Sequence, residues 1–250
     1  MPAKIHPTDI DNLICFWDFQ EPAGEPRVAK GPNNYALTEQ AGPMQRVDEG
    51  IFGDHAIKVD YRQWLRVSKF DAPALDIPGK DAQVSVVAWL KRYKKPEGEC
   101  EFVAGLWDET HKLRQYGMFL NLGIWDSQHQ VCGHVSNLGG PTPGYKWCMD
   151  ASIGATPVEL DQWCCAAFTY DSHTAISYLN GKLDERPERN PYPYPGGLFD
   201  GGDRPADFTV GSVTRSGKMG NFYVGLLGGL AVFNRALTQD EIQGLTAWIK

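Results

Sequence analysis

Apolar positions in this chain come in short runs, many of period two, separated by clusters of Gly, Pro, Asn and Asp. The runs are Leu13 to Phe19, Ala56 to Val59, Trp64 to Val67, Val84 to Leu90, Phe102 to Leu106, Tyr116 to Leu122 and Gln130 to Asn137. They continue with Trp163 to Tyr170, Ala175 to Leu179, Phe208 to Val213 and Val224 to Phe233. Between them lie turn formers such as "GPNN", "IPGK", "NGK", "PGG" and "FDGGD". Period two places alternate side chains on opposite faces of a strand. Many short strands punctuated in this way predict an all-β, two-sheet antiparallel sandwich, not alternating β-α units. One segment, "TQDEIQGLTAWIK", reads as helix: Thr238 caps, Glu241 completes a capping box, and Ile242, Leu245 and Ile249 share a face.

The pair "WCCAAFTYD" and "SYLNGKL" is the most informative. Cys164, Ala166, Phe168 and Tyr170 share one face of the first strand; Trp163, Cys165, Ala167 and Thr169 share the other. The chain returns through Ile176 to Leu179 into Asn180-Gly181, a favoured tight-turn dipeptide. A hairpin apolar on both faces belongs in the middle of a sandwich.

At 250 residues, 42% of them hydrophobic and 22% charged, the chain can bury a full core. It shows no linker, repeat or shift of composition, so one domain over residues 1–250 is expected. No apolar run approaches the roughly 20 residues that span a bilayer, so no membrane partner is expected. The net charge of -7 argues against nucleic acid, which needs a basic surface. The opening "MPAKIHPTDIDNLICFW" lacks a basic segment followed by an apolar core. As it stands this predicts a cytoplasmic protein; a secreted or periplasmic one whose leader had been removed would read the same. Cysteines 15, 100, 132, 148, 164 and 165 are too sparse for a disulfide scaffold, so most are expected to be free and buried, with Cys164 and Cys165 unbridged. No CxxC or HExxH spacing points to zinc.

Five segments, in order, carry a family resemblance. They are "LICFWDFQEPAG", "GIFGDHAIKVDYRQWLRV", "VSVVAWLKR", the hairpin above and "GLLGGLAVFNRALTQDEIQGL". Together they resemble a laminin-G-like domain of the concanavalin A-like lectin/glucanase superfamily. The resemblance implies a jelly-roll fold closed by a short C-terminal helix. Its functions range over lectins, hydrolases, lyases and adhesion modules, so function rests on the site. The chain departs from the family at Gly228-Gly229, where acidic residues are common, which argues against carboxylates there supporting a bound calcium. Residues 107–160 and 184–205 are also longer than the minimal fold requires.

Three clusters offer chemistry. Glu97, Glu99 and Glu101 in "EGECEF" fall on one face if the segment is a strand, as in jelly-roll glycosidases, whose acidic strand motif has a central aspartate. They follow the basic "KRYKKPEG" loop, and a solvated, salt-bridged edge is the expected reading. Asp200, Asp203 and Asp207 in "FDGGDRPAD" carry oxygen ligands suited to calcium, but such pairs are also what turns require. No cofactor is expected, and calcium is the one candidate metal. No phosphate-cradling or dinucleotide-binding glycine loop is present.

The third cluster is the stretch "QVCGHVSNLGGPTPGYKWCMDAS". Gln130, Cys132, His134 and Ser136 point one way, Val131 and Val135 the other, and the polar face is expected to be open, with Tyr116 beside it. Sugars stack on aromatic rings and hydrogen-bond to planar polar groups. Trp107, Tyr145 and Trp147 can supply rings; Arg114, Asn137 and Lys146 can supply hydrogen bonds. Prolines 141 and 143 stiffen the loop, so Gly139 to Trp147 is expected to wall a glycan site with His134 on its floor. A second loop, "DERPERNPYPYPGG", places Arg186 and Arg189 beside Tyr192 and Tyr194, a combination suited to acidic sugars.

The leading function is a carbohydrate-recognition domain that binds a glycan ligand, a poly- or oligosaccharide, on the concave sheet face. An alternative is a polysaccharide lyase or glycoside hydrolase on the same scaffold; a lyase would use His134, Tyr116 or Tyr145 as acid and base, with Arg114 neutralising a uronate. A third is a protein-interaction module.

Overall fold

In the computed structural model, which describes residues 3–96 and 98–249, the alternating runs pair into two facing sheets. The first runs through Lys182–Leu183, Thr174–Leu179, Trp163–Tyr170, Val84–Arg92, Gly225–Phe233, Ala56–Val59 and Gln45–Val47. Leu13–Trp17 also pairs with Gly225–Phe233, and Tyr192–Pro193 with Thr174–Leu179. The second runs through Ala151–Ile153, Val131–Val135, Leu113–Leu120, Glu101–Asp108, Phe208–Val210, Trp64–Val67, Ala36–Gln40 and Arg27–Val28. A hairpin of Val213–Arg215 and Lys218–Gly220 joins this sheet through Thr214 and Asp108.

Alternation sorts the side chains into layers. Cys164, Ala166, Phe168 and Tyr170 meet Tyr116, Met118, Leu120, Val131 and Val135 between the sheets. Cys165 and Ala167 face outward and pack with Ile242 and Leu245 of the helix Gln239–Thr246. That helix carries the Thr238–Glu241 capping box, and its Leu245 carbonyl accepts from the Trp89 indole at 3.0 Å. On the outer face of the second sheet Phe102, Trp107, Phe119 and Cys132 pack with Cys148, Ala151 and Ile153 of the returning chain.

Backbone geometry explains where the strands stop. Asn180 and Gly181 turn with φ of 50° and 78°, the conformation of a type I′ hairpin. The run from Phe208 breaks at Gly211, where φ is 85° and the amide bonds to the Val103 carbonyl. Gly228-Gly229 sits at a bulge of the closing strand. A Cβ on Gly229 would lie 2.7 Å from the Phe52 ring, and one on Gly228 2.6 Å from Ile51, so these positions admit glycine for packing reasons.

All six cysteines are free, and five are buried. Burial pushes Cys132, Cys164 and Cys165 up to about 12 and Cys148 to about 11. Thiol titration without reductant is therefore expected to be slow in the native protein and to recover six thiols in denaturant. Recovery of only four would reveal a disulfide and contradict this layering.

Candidate functional site

The site is built on three neighbouring strands, Glu101–Asp108, Leu113–Leu120 and Val131–Val135. His134 stands opposite Gly117, and Cys132 opposite Phe119. Glycine at 117 leaves room for rings: a Cβ there would lie 2.9 Å from Phe102 and 3.3 Å from Phe119. His134 packs against Trp107 at 4.6 Å between ring centroids and against Phe119 at 5.3 Å. This face is therefore covered, with His134 only 3% exposed. The open polar face expected from the alternation is closed by the crossover laid over it.

That crossover is held by its own hydrogen bonds. The Trp125 indole donates to the Met149 carbonyl at 3.0 Å, the Thr142 amide to the Trp147 carbonyl at 3.1 Å, and the Thr142 hydroxyl to the Asp150 carboxylate. The His134 Nδ1 lies 2.9 Å from the Asp150 carbonyl oxygen. A carbonyl only accepts, so Nδ1 carries the proton and Nε2 is left as an acceptor. Desolvation lowers the His134 pKa to about 3, so the imidazole is neutral at ordinary pH.

Beside this floor lies a groove of about 400 Å³. Trp107, Phe119 and His134 form its base, and Trp147, 41% exposed, stands at its edge. Polar groups come from Arg114, Glu109, Glu99, Arg215 and Asn221. Arg215 donates to the Asn221 side-chain oxygen at 2.6 Å and lies 3.6 Å from Glu99. The Asn221 amide nitrogen donates to Glu109 at 3.2 Å. Burial raises the Glu109 carboxyl above its ordinary value, against the pull of Arg114 and Arg215. Across the Glu99–Arg215 pair the depression continues into a second trough of about 640 Å³, lined by Tyr61, Trp64 and Phe222 with Arg62 and Lys218.

Of the residues expected to act, Trp107, Arg114, His134 and Trp147 meet in this groove. Tyr116 does not: it lies between the sheets with its hydroxyl on the Leu75 carbonyl at 2.8 Å, because its register partner Val135 also points inward. Its placement beside His134 is thus corrected. Asn137 turns away to Tyr194, whose hydroxyl donates to it at 2.7 Å. Tyr145 and Lys146 are exposed but lie outside the groove lining; Tyr145 meets the Trp125 ring edge-on at 5.8 Å, and Lys146 covers the Trp147 ring at 4.7 Å.

The second loop braces the crossover. Arg186 donates to the Trp125 carbonyl at 2.8 Å, Arg189 stacks on its ring at 4.0 Å, and Tyr192 donates to Asp150 at 2.9 Å. Asp207 accepts from Arg66 at 2.7 Å and from the Lys69 amide, while Asp200 closes a turn on the Gly202 amide and Asp203 is exposed. Among the described residues no group of three or more His, Cys, Asp or Glu side chains is placed to hold a metal ion. Glu97 lies outside the described residues. Glu101 is not at a solvated edge: it is 2% exposed and grips Arg92 through two bonds of 2.6 and 2.7 Å.

Glu109, Arg215 and Asn221 escaped sequence reasoning. The available signal was the Ser216-Gly217 turn in "TRSGKM", whose φ values of 49° and 76° make the hairpin that carries Arg215 to the groove.

A jelly-roll sandwich with an aromatic-floored groove on the outside of one sheet defines a class of lectin-like and glucanase-like folds. The chain belongs to the concanavalin A-like lectin/glucanases superfamily, whose laminin-G family model matches residues 68–243. Domain 4 of AbnA, an extracellular arabinanase from Geobacillus stearothermophilus solved with arabinotriose, is similar with a TM-score of 0.62 and 18% identity, over 98% of this chain and 100% of that one. The binding domain of botulinum neurotoxin serotype G matches at 0.56 and 11%, over 94% of this chain and 51% of that one. A mutant Trypanosoma rangeli sialidase with trans-sialidase activity matches at 0.59 and 14%, over 94% of this chain and 32% of that one. The chain thus spans about half of the neurotoxin domain and a third of the sialidase. At these identities the likeness is one of fold. No curated protein sequence matches. Among the described residues no helix is long and apolar enough to cross a membrane.

Proposed function

We propose that the protein is a carbohydrate-recognition domain binding an oligo- or polysaccharide on the outer face of the second sheet. The observation that carries this reading is the groove itself, where the exposed Trp147 ring adjoins Arg114, Glu109 and Asn221 over a floor that includes the buried Trp107. Sugar rings offer apolar C–H faces to indoles and hydroxyls to planar donors and acceptors. The internally bonded crossover favours binding, since little ordering is required. The adjoining trough with Tyr61, Trp64 and Phe222 favours a chain of sugars over a single terminal unit. Likeness over nearly the whole chain to a domain solved with arabinotriose adds support.

Trp147→Ala tests this. Its exposure predicts a nearly unchanged Tm, while affinity for a bound glycan should fall at least about tenfold, or about 1.4 kcal/mol, by isothermal titration. Tyr145→Ala, outside the groove lining, should change affinity far less. The reverse ranking, or no loss in either variant, would place the site elsewhere.

A second reading, glycoside hydrolysis, draws on Glu109, whose raised carboxyl suits a general acid, with Glu99 in the same groove. It calls for release of reducing ends that Glu109→Gln abolishes while binding persists. A lyase finds less support, because no tyrosine is among the described residues lining the groove.

A further inference from the structure

Three arginines are buried among the described residues: Arg27, Arg92 and Arg114. A guanidinium withdrawn from water is costly unless a counter-charge and hydrogen bonds compensate it. Arg27 pairs with Glu39, and Arg92 is held by Glu101 through both of its carboxylate oxygens. Arg114, 4% exposed, breaks the pattern. Its guanidinium makes one hydrogen bond, from Nη1 to the Gly139 carbonyl at 3.2 Å, and no described carboxylate lies within ion-pair distance. Glu109 feels its charge but accepts instead from Asn221. The nearest indole, Trp107, lies 6.0 Å from the guanidinium carbon, the outer limit of a cation–π contact.

The remaining donors of Arg114 belong to a side chain that lines the groove. Arg215, the other guanidinium there, is already tied to Asn221 and Glu99. The planar guanidinium fork matches a carboxylate through two parallel bonds. Arg114 thus keeps donors for an anion in the groove that the exposed Trp147 indole borders.

We propose that the glycan taken by this groove carries a carboxylate, as in a uronic or sialic acid unit, which pairs with Arg114 while its ring stacks on Trp147. This rests on the reading of the groove as a glycan site and specifies its ligand class. The neighbouring Glu109 and Glu99 act against non-specific anion binding, so recognition requires both the carboxylate and the sugar ring.

The test is isothermal titration of the full chain with paired probes: oligogalacturonate, oligoalginate and sialyllactose, each beside its methyl ester, together with neutral arabinan and galactan oligosaccharides. Esterification removes the charge and keeps the sugar. At least one acid is expected to bind tenfold or more tighter than its own ester. Arg114→Gln should erase that difference, and Arg114→Lys, which keeps the charge without the fork, should restore part of it. If Arg114→Gln melts early, the acid–ester comparison on the unaltered protein decides alone. Equal binding of acid and ester, or binding of neutral glycans only, overturns the carboxylate assignment and leaves the glycan reading standing. Binding of none of these probes overturns the glycan reading, and this inference with it.

Discussion

Between pH 6.5 and pH 4 the protein is expected to lose about 1.4 kcal/mol of stability per pH unit through His134 alone. In the folded chain this imidazole titrates at about 3, chiefly because burial disfavours its charged form, and Arg114 adds to the effect. In the unfolded chain it titrates near 6.5, its ordinary value. As pH falls, the unfolded state therefore takes up the proton first. The stabilisation is complete above pH 6.5, declines through the window and levels off below about 3. Urea denaturation of the wild type and His134→Gln at pH 7 and pH 4 isolates it, because titration of the shared carboxylates largely cancels in the difference. The stability advantage of the wild type should shrink by about 3 kcal/mol between the two pH values. A difference independent of pH would show that the imidazole is not held neutral. Catalytically, the same property deprives His134 of a proton to donate from an imidazolium at neutral pH.

Glu101→Ala is expected to cost about 3–5 kcal/mol, because it strands the Arg92 guanidinium in the interior. Arg92 is 3% exposed and also bonds His129 at 2.7 Å and the Val158 carbonyl at 3.3 Å. Replacing both partners, as in Arg92→Met with Glu101→Leu, should recover much of the loss, since the desolvated charges then disappear together. Chemical denaturation at pH 7 measures both variants. A single-variant loss below about 1 kcal/mol would mean a solvated pair of the ordinary surface kind. Glycan affinity per folded molecule should not change, because Glu101 does not line the groove.

These two groups mark where reading by pattern succeeded and where it failed. Period two assigned Phe168 and Tyr170, Tyr116 and Met118, and Val131 and Val135 to their inward faces, and each is found there. It gave His134 its outward direction correctly but made that face open and set Tyr116 beside it. Alternation specifies which side of a sheet a residue takes, not what other chain lies over that side. The cover comes from the segments 121–130 and 136–150, whose path is set by bonds such as Trp125 to Met149 that join positions far apart in sequence. For Glu101 of "EGECEF" the salt bridge was legible, since its partner Arg92 lies in the basic stretch just before it, but the burial of the pair was not, because it appears only once their strands are in place.

By itself the sequence determined the layered β-sandwich, the Asn180-Gly181 turn, the capped terminal helix and the family, because each depends on local periodicity, turn chemistry or ordered motifs. The tertiary structure alone decided which polar groups share the groove. Glu109 follows one strand of the second sheet, Arg114 lies within the next, and Arg215 ends a strand of a distant hairpin. Burial and charge at such a meeting point are properties of the assembled neighbourhood: Arg114 is buried without a carboxylate although the chain is rich in them, and His134 is neutral although solvent would charge it in mild acid.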